Sequence, residues 1–244
     1  MKVVISKNYE ELSRLAAEHV ADLLKSKSDA VLGLPTGSTP LGMYKELISM
    51  NKKEDLSFKD VTTFNLDEYE GLDKNDPNSY YRFMLDNFFS HIDVDKNKTN
   101  IPDARSSDIT KECVEYEKKI KAAGGIDIMI LGLGNNGHIG FNEPAEYFAG
   151  ITHRVKLHKD TIEANARFFD NIDDVPKYAV TMGIKSIMHC KSIMLIANGK
   201  GKADAIKKAI EGPITPQVPA SVLQLHRDLI IIVDEEAASL LTSC

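Results

Sequence analysis

The sequence predicts an α/β fold in which a mainly parallel central sheet lies between helices on both faces, giving three layers. Short apolar runs such as Ala30–Leu34 and Ile193–Ala197 alternate with segments of helical periodicity. The chain has 244 residues, 43% of them hydrophobic, and contains no repeat, low-complexity tract or linker that would mark a domain boundary. We therefore expect residues 1–244 to form a single Rossmann-like domain.

The first part of the chain repeats a unit of a strand followed by a helix. Val3–Ile5 predicts a short strand and precedes a helical pattern. Ala30–Leu34 predicts a second strand, after which Thr39 is expected to cap a helix that begins with Pro40. Val61–Leu66 predicts a third strand. This alternation indicates parallel strands joined by helical crossovers.

The middle of the chain continues the pattern. A helix start is predicted at residues 76–77, and another at Ser107 or Asp108, whose helix is stopped by the glycines at 124–125. Ile126–Leu131 then forms an apolar run that is too short for an isolated helix, so we interpret it as a buried parallel strand. Beyond residue 144 we predict strands at 178–182, 193–197 and 229–233, helices at 160–169, 184–189, 203–211 and 221–225, and a terminal helix.

Composition limits the classes of partner. The net charge is -6, from 30 basic and 36 acidic side chains that are interspersed, and no surface for nucleic acid is indicated. No apolar run approaches membrane-spanning length. The three cysteines show no paired spacing, which is typical of a reduced compartment. We expect a cytoplasmic protein with a small-molecule ligand and no nucleic-acid or membrane partner, for which an oligomer is allowed but not required.

Several polar or glycine-rich segments follow predicted strands. Right-handed crossovers bring the carboxyl ends of parallel strands to one edge of the sheet, where open α/β sheets bind ligands. Five segments are expected to meet there and to form one site: 35–39, 67–71, 132–143, 198–202 and the segment around residue 167.

Residues 132–137 spell the dinucleotide pattern G-x-G-x-x-G. A true dinucleotide fingerprint opens a helix, whereas Gly140 and Pro144 follow closely here, so we favour glycines that bring the backbone close to a small substrate. His138 and Glu143 are five residues apart, and a loop could fold the carboxylate onto the imidazole; the alternative is an ordinary surface histidine. The other histidines have no metal-ligand spacing, and no metal site is predicted.

Three further segments offer chemistry beside a plain structural alternative. Asp67 follows the third strand and could act as a base for carbon-bound protons, or could simply cap a turn. Residues 36–39 combine hydroxyls and backbone amides at a helix start, which suits a phosphate. Lys202 adds positive charge in a glycine turn, while Arg167, from its spacing alone, is typical of a solvated helix face.

Five stretches, taken in order, resemble the glucosamine-6-phosphate deaminase family, a relative of the 6-phosphogluconolactonases. The likeness extends over nearly the whole chain. The stretches are Gly33-Leu34-Pro35-Thr36-Gly37-Ser38-Thr39-Pro40, Phe64-Asn65-Leu66-Asp67-Glu68-Tyr69, residues 132–144 with Gly-His-Ile-Gly-Phe-Asn-Glu-Pro, Asn165-Ala166-Arg167-Phe168-Phe169, and residues 219–226. The Thr-Gly-Ser-Thr-Pro turn is shared with the lactonases, whereas the histidine stretch together with Leu-Asp-Glu-Tyr is specific to the deaminases.

The resemblance implies conversion of glucosamine 6-phosphate and water to fructose 6-phosphate and ammonia without a metal or redox cofactor. It implies that His138, oriented by Glu143, opens the sugar ring, and that Asp67 moves a proton from carbon 2 to carbon 1. Asn136 stands where some members have aspartate, so the histidine would have one nearby carboxylate instead of two. The substrate-binding residues that the resemblance implies are Thr36, Gly37, Ser38, Thr39, Gly134, Arg167 and Lys202.

The resemblance also implies a mobile lid at about residues 150–176. Because the chain lacks the longer tail of allosterically regulated members, we expect hyperbolic kinetics without an effector. Two alternatives stay open at this point. One is a sugar-phosphate hydrolase such as a lactonase, and the other is a non-catalytic sugar-phosphate sensor of the same architecture.

Overall fold

A computed structural model describes residues 1–166, 169 and 171–242 of the chain. Its strands are β1 (Lys2–Ser6), β2 (Val31–Leu34), β3 (Thr62–Asn65), β4 (Asp67–Tyr69), β5 (Thr99–Asn100), β6 (Ile128–Leu131), β7 (His153–Lys156), β8 (Tyr178–Thr181), β9 (Ser192–Ala197) and β10 (Leu229–Asp234). Its helices are α1 (Tyr9–Ser26), α2 (Leu41–Lys52), α3 (Tyr80–Asn87), α4 (Ile109–Ala122), α5 (Lys159–Asn165), α6 (Ile184–Met188), α7 (Ala203–Ile210) and α8 (Glu235–Ala238).

Seven of these strands form the central sheet in the order β1-β10-β9-β6-β2-β3-β5, and every pair is parallel. The chain runs outward from β2 to β3 and β5, and then returns to β6 on the other side of β2 before continuing to β9 and β10. The segments that leave β2 and β6 therefore diverge. This point of divergence is where a parallel sheet opens a crevice at its carboxyl edge.

Alternate residues of the strands pack into two separate cores. In β6, Ile128 and Ile130 join one core with α1, α2 and α3. Met129 and Leu131 face the opposite core, which contains residues of α4, α6 and α7. The predicted three-layer α/β fold is therefore confirmed.

A second, smaller sheet was not predicted. Strands β4, β8 and β7 pair in antiparallel fashion, with Asp67 opposite Thr181. The third strand ends at Asn65 instead of Leu66, and the segment beginning at Asp67, expected to be a loop, is itself a strand. Strand β7 alternates half-buried and exposed residues that include His153 and Lys156, so its hydrophobic signal was too weak to predict.

The start of α2 differs from the expectation. Pro40 occupies the capping position and no side chain caps the helix. The hydroxyl of Thr39 instead donates to Oδ1 of Asn198, at 2.8 Å. A tertiary partner has thus replaced the local cap that the sequence pattern predicts.

Other boundaries differ in smaller ways. Helix α3 begins at Tyr80, three residues after the predicted start, because Ser79 caps it by accepting a hydrogen bond from the Arg82 amide at 3.0 Å. The predicted 221–225 helix is a 3-10 helix over Pro219–Leu225. The two-residue strand β5 is too short to give a periodic signal. Within the described residues, no helix is long and apolar enough to cross a membrane.

A buried carboxylate joins three elements at the amino edge of the main sheet. Asp127 accepts hydrogen bonds from the Val31 amide at 2.7 Å and from Nζ of Lys191 at 2.6 Å, and Nζ of Lys27 lies 3.3 Å away. Burial favours the neutral acid, but the lysines and the amide outweigh it and lower the pKa of Asp127. The strands β2 and β6 are therefore held together at the edge opposite the crevice.

Candidate active site

A cavity of about 670 Å³ lies at the carboxyl edge of the sheet, where the segments after β2 and β6 diverge. Its lining includes nine of the residues predicted from the sequence: Thr36, Gly37, Ser38, Thr39, Asp67, Gly134, Asn136, His138 and Lys202. Glu143 lies against His138. Arg167 lies outside the described residues. The structure thus brings four of the five predicted segments to one place.

The loop brings the imidazole of His138 next to the carboxylate of Glu143. Nδ1 of His138 lies 3.3 Å from Oε2 of Glu143, close enough for an ion pair. The two groups are not aligned as a hydrogen bond, and among the described residues Nδ1 has no hydrogen-bond partner. Asn136 bridges the pair, because its Nδ2 donates to Oε2 of Glu143 at 2.8 Å and its Oδ1 accepts from the backbone amide of His138 at 3.1 Å. Asn136 therefore supports the pair without adding a second negative charge.

Glu143 has a further partner that sequence analysis missed. The hydroxyl of Thr161, on α5, makes a short hydrogen bond with Oε1 of the carboxylate. Burial alone would raise the pKa of Glu143, but His138, Thr161 and Asn136 outweigh it and lower the pKa to about 2. Glu143 is thus a permanent negative charge at neutral pH, suited to orienting a histidine and not to transferring protons itself.

The glycine at position 134 has a specific steric reason. A Cβ atom at this residue would lie 2.3 Å from Cε1 and 2.4 Å from Nδ1 and Nε2 of His138. The imidazole therefore lies directly against the Gly134 backbone, where only a residue without a side chain fits. No helix follows residues 132–137, which agrees with the rejection of the dinucleotide interpretation.

Asp67 is the second acidic group of the cavity and has the opposite electrostatic environment. It is buried, and desolvation together with the neighbouring charge of Glu68 raises its pKa to about 8. Such a carboxyl group is a far stronger base than an ordinary aspartate and exchanges protons near neutral pH. The environment that raises its pKa also makes it suitable for proton transfer.

Glu68 does not face the cavity but fixes its wall. Its Oε1 accepts from the amides of Tyr69 and Tyr80, and its Oε2 accepts from the amide of Tyr81, each at 2.9 Å. These bonds satisfy free amides at the start of α3. Tyr80 is thereby held at the cavity, where its ring stacks with Phe141 at a centroid distance of 5.9 Å.

The turn after β2 is fixed by hydrogen bonds to Tyr9, the first residue of α1. Gly37 has a φ angle of 97°, which favours glycine. The hydroxyl of Tyr9 lies 3.1 Å from the Ser38 carbonyl and 3.0 Å from the Thr39 carbonyl, and it accepts from the Gly42 amide at 2.8 Å. This arrangement stiffens a loop of hydroxyl groups and backbone amides beside the cavity, which is the kind of site that binds phosphate.

Lys202 brings positive charge to the same cavity. Its Nζ donates to Oδ1 of Asn135 at 2.6 Å, which joins the turn after β9 to the loop after β6. Both carboxylate oxygens of Asp234 accept from the Gly199 amide at 2.9 Å and so hold the base of that turn. The lysine is therefore held at the cavity, whose lining also includes the hydroxyl-rich turn, by a contact between the turn after β9 and the loop after β6.

The residues that sequence analysis missed share one property: their role depends on a distant contact. Tyr80 and Phe141 supply aromatic walls, and Asn198 accepts the Thr39 hydroxyl. Thr161 and Asn165 approach from α5. Signals existed for three of them: Asn165 and Phe141 lie in stretches of the family resemblance, and Asn198 lies in the predicted 198–202 segment.

A second cavity of about 710 Å³ is slightly larger but lacks this chemistry. It lies beside residues 124–126, before β6, and so away from the carboxyl edge where ligands of parallel sheets bind. Its acidic residue, Glu117, already accepts hydrogen bonds from Thr152 and Ser186. We therefore place the candidate active site in the cavity of Asp67 and His138.

Similarity to known proteins identifies the family of the chain. Residues 6–231 match the family described as glucosamine-6-phosphate isomerases/6-phosphogluconolactonase. The chain belongs to this family. It is 54% identical over 239 residues to the glucosamine-6-phosphate deaminase of Clostridium botulinum (strain Langeland), with 98% of each chain covered. The deaminase of Clostridium novyi (strain NT) is also 54% identical, with 98% of this chain and 99% of the relative covered.

Solved structures separate the two branches of the family. A monomeric glucosamine-6-phosphate deaminase superposes with a TM-score of 0.96 at 51% identity, covering 99% of this chain and 100% of the other. The 6-phosphogluconolactonase of Thermotoga maritima superposes with a TM-score of 0.76 at 18% identity, covering 96% of this chain and 99% of the other. The second match shows the shared fold alone.

The contact between Gly134 and His138 can be tested by Gly134→Ala. The new methyl group would overlap the imidazole, and because a side chain rather than backbone obstructs it, we expect the ring to turn away while the fold survives. NMR signals of the His138 ring should shift, while the melting temperature changes by no more than about 4 °C. Gly201→Ala, where a methyl group meets no atom within 4 Å, is the control. Unmoved His138 signals in Gly134→Ala would contradict the predicted contact.

Proposed function

We propose that the protein converts glucosamine 6-phosphate and water to fructose 6-phosphate and ammonia. The observation that carries the proposal is the pairing, in one cavity, of a histidine held by an ionised glutamate with an aspartate of raised pKa. These are the two proton-transfer groups that ring opening and isomerisation need. The relatives at 54% identity, both named glucosamine-6-phosphate deaminase, support the same assignment.

Ring opening is the first step that the site has to perform. A proton must leave the hydroxyl on carbon 1 of the pyranose and reach the ring oxygen as the bond between carbon 1 and the ring oxygen breaks. We assign this transfer to His138, because an imidazole has one nitrogen that can accept a proton and another that can donate one. Glu143 holds the ring in position and favours the imidazolium that forms during the transfer.

Isomerisation is the second step. We assign to Asp67 the removal of the proton from carbon 2 of the open aldehyde, which gives an enolamine as the carbon 1 oxygen takes up a proton. The same carboxyl group then returns a proton to carbon 1, leaving an imine at carbon 2. With its pKa raised to about 8, Asp67 is basic enough to abstract a carbon-bound proton and acidic enough to give it back.

Release of ammonia completes the reaction. Water adds to the imine at carbon 2, and loss of ammonia from that carbon leaves the ketone of fructose 6-phosphate. Because water is consumed and a carbon–nitrogen bond is broken, we class the enzyme as an isomerising hydrolase. The transfers of ring opening and of the protons on carbons 1 and 2 are assigned to His138 and Asp67, and we propose that no cofactor is needed.

Substrate binding is proposed to use the phosphate as the anchor. The turn at residues 36–39 offers amides and hydroxyls, Gly134 allows close approach, and Lys202 and Arg167 supply charge. We propose that residues 150–176 act as a lid, since α5 lies within this segment and contributes to the cavity wall.

The assembly and compartment follow from less direct observations. The structure at 51% identity is that of a monomeric deaminase, which supports turnover without a second copy of the chain. Cys113 and Cys190 are buried free thiols, which supports a reducing compartment, and we propose the cytoplasm.

The proposed function is tested by incubating the purified protein with glucosamine 6-phosphate. We expect ammonia and fructose 6-phosphate in equal amounts. A parallel incubation with 6-phosphogluconolactone separates the second branch of the family, because hydrolysis of the lactone without ammonia from the amino sugar would identify a lactonase. Binding of the amino sugar without any product would indicate a sensor and would contradict the proposal.

The role of Asp67 predicts both a loss of rate and a pH dependence. Asp67→Asn should lower kcat by about 100-fold or more, since general bases contribute this much, while binding of fructose 6-phosphate is retained. In the wild type, kcat/KM should rise as pH increases through about 8, because only the ionised carboxylate can accept the proton. A pH–rate profile measures the rise; a limb that is complete below pH 6 would argue against Asp67.

The role of Lys202 predicts a change in affinity. Lys202→Ala removes a charged hydrogen-bond donor, so KM should rise by about 10- to 100-fold while kcat changes by no more than about threefold. Lys200→Ala removes an exposed lysine from the same turn and should leave KM unchanged. Steady-state kinetics distinguish the two variants. If kcat of Lys202→Ala collapses at unchanged KM, Lys202 does not act as a phosphate ligand.

A further inference from the structure

The carboxylate of Glu143 is held from two directions. In the described part of the chain, Oε2 meets Asn136 and His138, which belong to the same loop as Glu143. Oε1 meets the hydroxyl of Thr161, which belongs to α5. Thr161 is only 4% exposed, so the contact is shielded from solvent. The loop and the helix therefore set the plane of the carboxylate together.

Helix α5 depends on such contacts for its position. It has seven residues, too few for a helix to be stable in water by itself. Thr161 and Asn165 are four residues apart and so lie on one side of the helix, and both line the cavity. Asn165 donates from Nδ2 to the Tyr69 hydroxyl at 2.8 Å, and Ile162 packs against the cluster that contains Tyr69 and Phe141. Docking of α5 and formation of the Thr161 contact are therefore linked.

The remaining geometry makes the rotation of the carboxylate decisive. Nδ1 of His138 lies 3.3 Å from Oε2 of Glu143 but is not aligned as a hydrogen bond. A small rotation of the carboxylate would either complete this hydrogen bond or move the two atoms further out of alignment. The hydroxyl of Thr161 restricts that rotation, because it engages the other oxygen.

We propose that Thr161 is a positioning residue through which α5 sets the Glu143–His138 pair for ring opening, so that the pair is competent only while the helix is docked over the cavity. The inference rests on the proposed deaminase function. Such a link would join acid–base catalysis to closure of the site, when water is excluded from the reacting sugar.

A neutral hydroxyl suits this task better than a cation. As a donor to Oε1, it orients the carboxylate and leaves its negative charge available to His138. A lysine or arginine at position 161 would form a competing ion pair with Glu143 and weaken the hold on the imidazole. The residue type therefore agrees with a role in orientation.

The test compares Thr161→Val with Thr161→Ser. Valine keeps the shape and removes the donor, so we expect kcat for glucosamine 6-phosphate to fall by about 10- to 100-fold, with KM changed by less than about threefold. Serine restores the hydroxyl and should recover most of the rate. The control is Thr152→Val, which removes an equally buried hydroxyl that donates to Oε1 of Glu117 at 2.6 Å in the same segment. This control should retain the wild-type kcat.

A second measurement does not depend on turnover. In the protein without substrate, carbon-13 NMR of the Glu143 carboxyl group should show a higher pKa in Thr161→Val than in the wild type, and an unchanged value in Thr161→Ser. Wild-type kcat in Thr161→Val, or an equal loss in Thr152→Val, would overturn the inference. If the wild type releases no ammonia, the proposed function fails, and an unchanged pKa of Glu143 in Thr161→Val would then overturn the Thr161 contact separately.

Discussion

The parallel pairing of β2 with β6 is the constraint on which the rest of the site depends. The two strands lie side by side, yet the chain leaves them in opposite directions across the sheet. Asp127, directly before β6, ties their amino ends together by accepting a hydrogen bond from the Val31 amide of β2. The segments that follow their carboxyl ends diverge. The crevice between these segments is lined by the turn at residues 36–39 on one side and by the His138 loop on the other.

Two buried carboxyl groups in this crevice have opposite ionisation behaviour, and the difference comes from their partners. Burial favours the neutral form of both. Glu143 interacts with His138, Thr161 and Asn136, which outweigh its burial and lower its pKa to about 2. Desolvation, reinforced by the neighbouring charge of Glu68, raises the pKa of Asp67 to about 8. A pair of acids separated in this way can divide the work of orientation and proton transfer.

The small antiparallel sheet places the parts of the site that the main sheet cannot reach. Strand β4 begins with Asp67, directly after β3, and β8 and β7 extend the same sheet. The 153–165 segment thus runs from β7 into α5, which returns Thr161 and Asn165 to the cavity. This small sheet therefore supplies the buried carboxyl group of Asp67 and connects the cavity wall to the loop of His138 and Glu143.

The alternation of strands and helices, several helix boundaries and most residues of the candidate site could be predicted from the amino-acid sequence. Asp108 caps its helix as the sequence predicts, because such a cap acts within three residues. The glycine at position 134 and the pairing of His138 with Glu143 could also be predicted, because all three residues lie in one short loop. Two contacts became evident from the folded chain alone. Thr39 donates its hydroxyl to Asn198, 159 residues away, instead of capping its own helix, and Thr161 makes a hydrogen bond with Glu143. A side chain's distant partner depends on how strands are ordered, and local periodicity carries no information about that order.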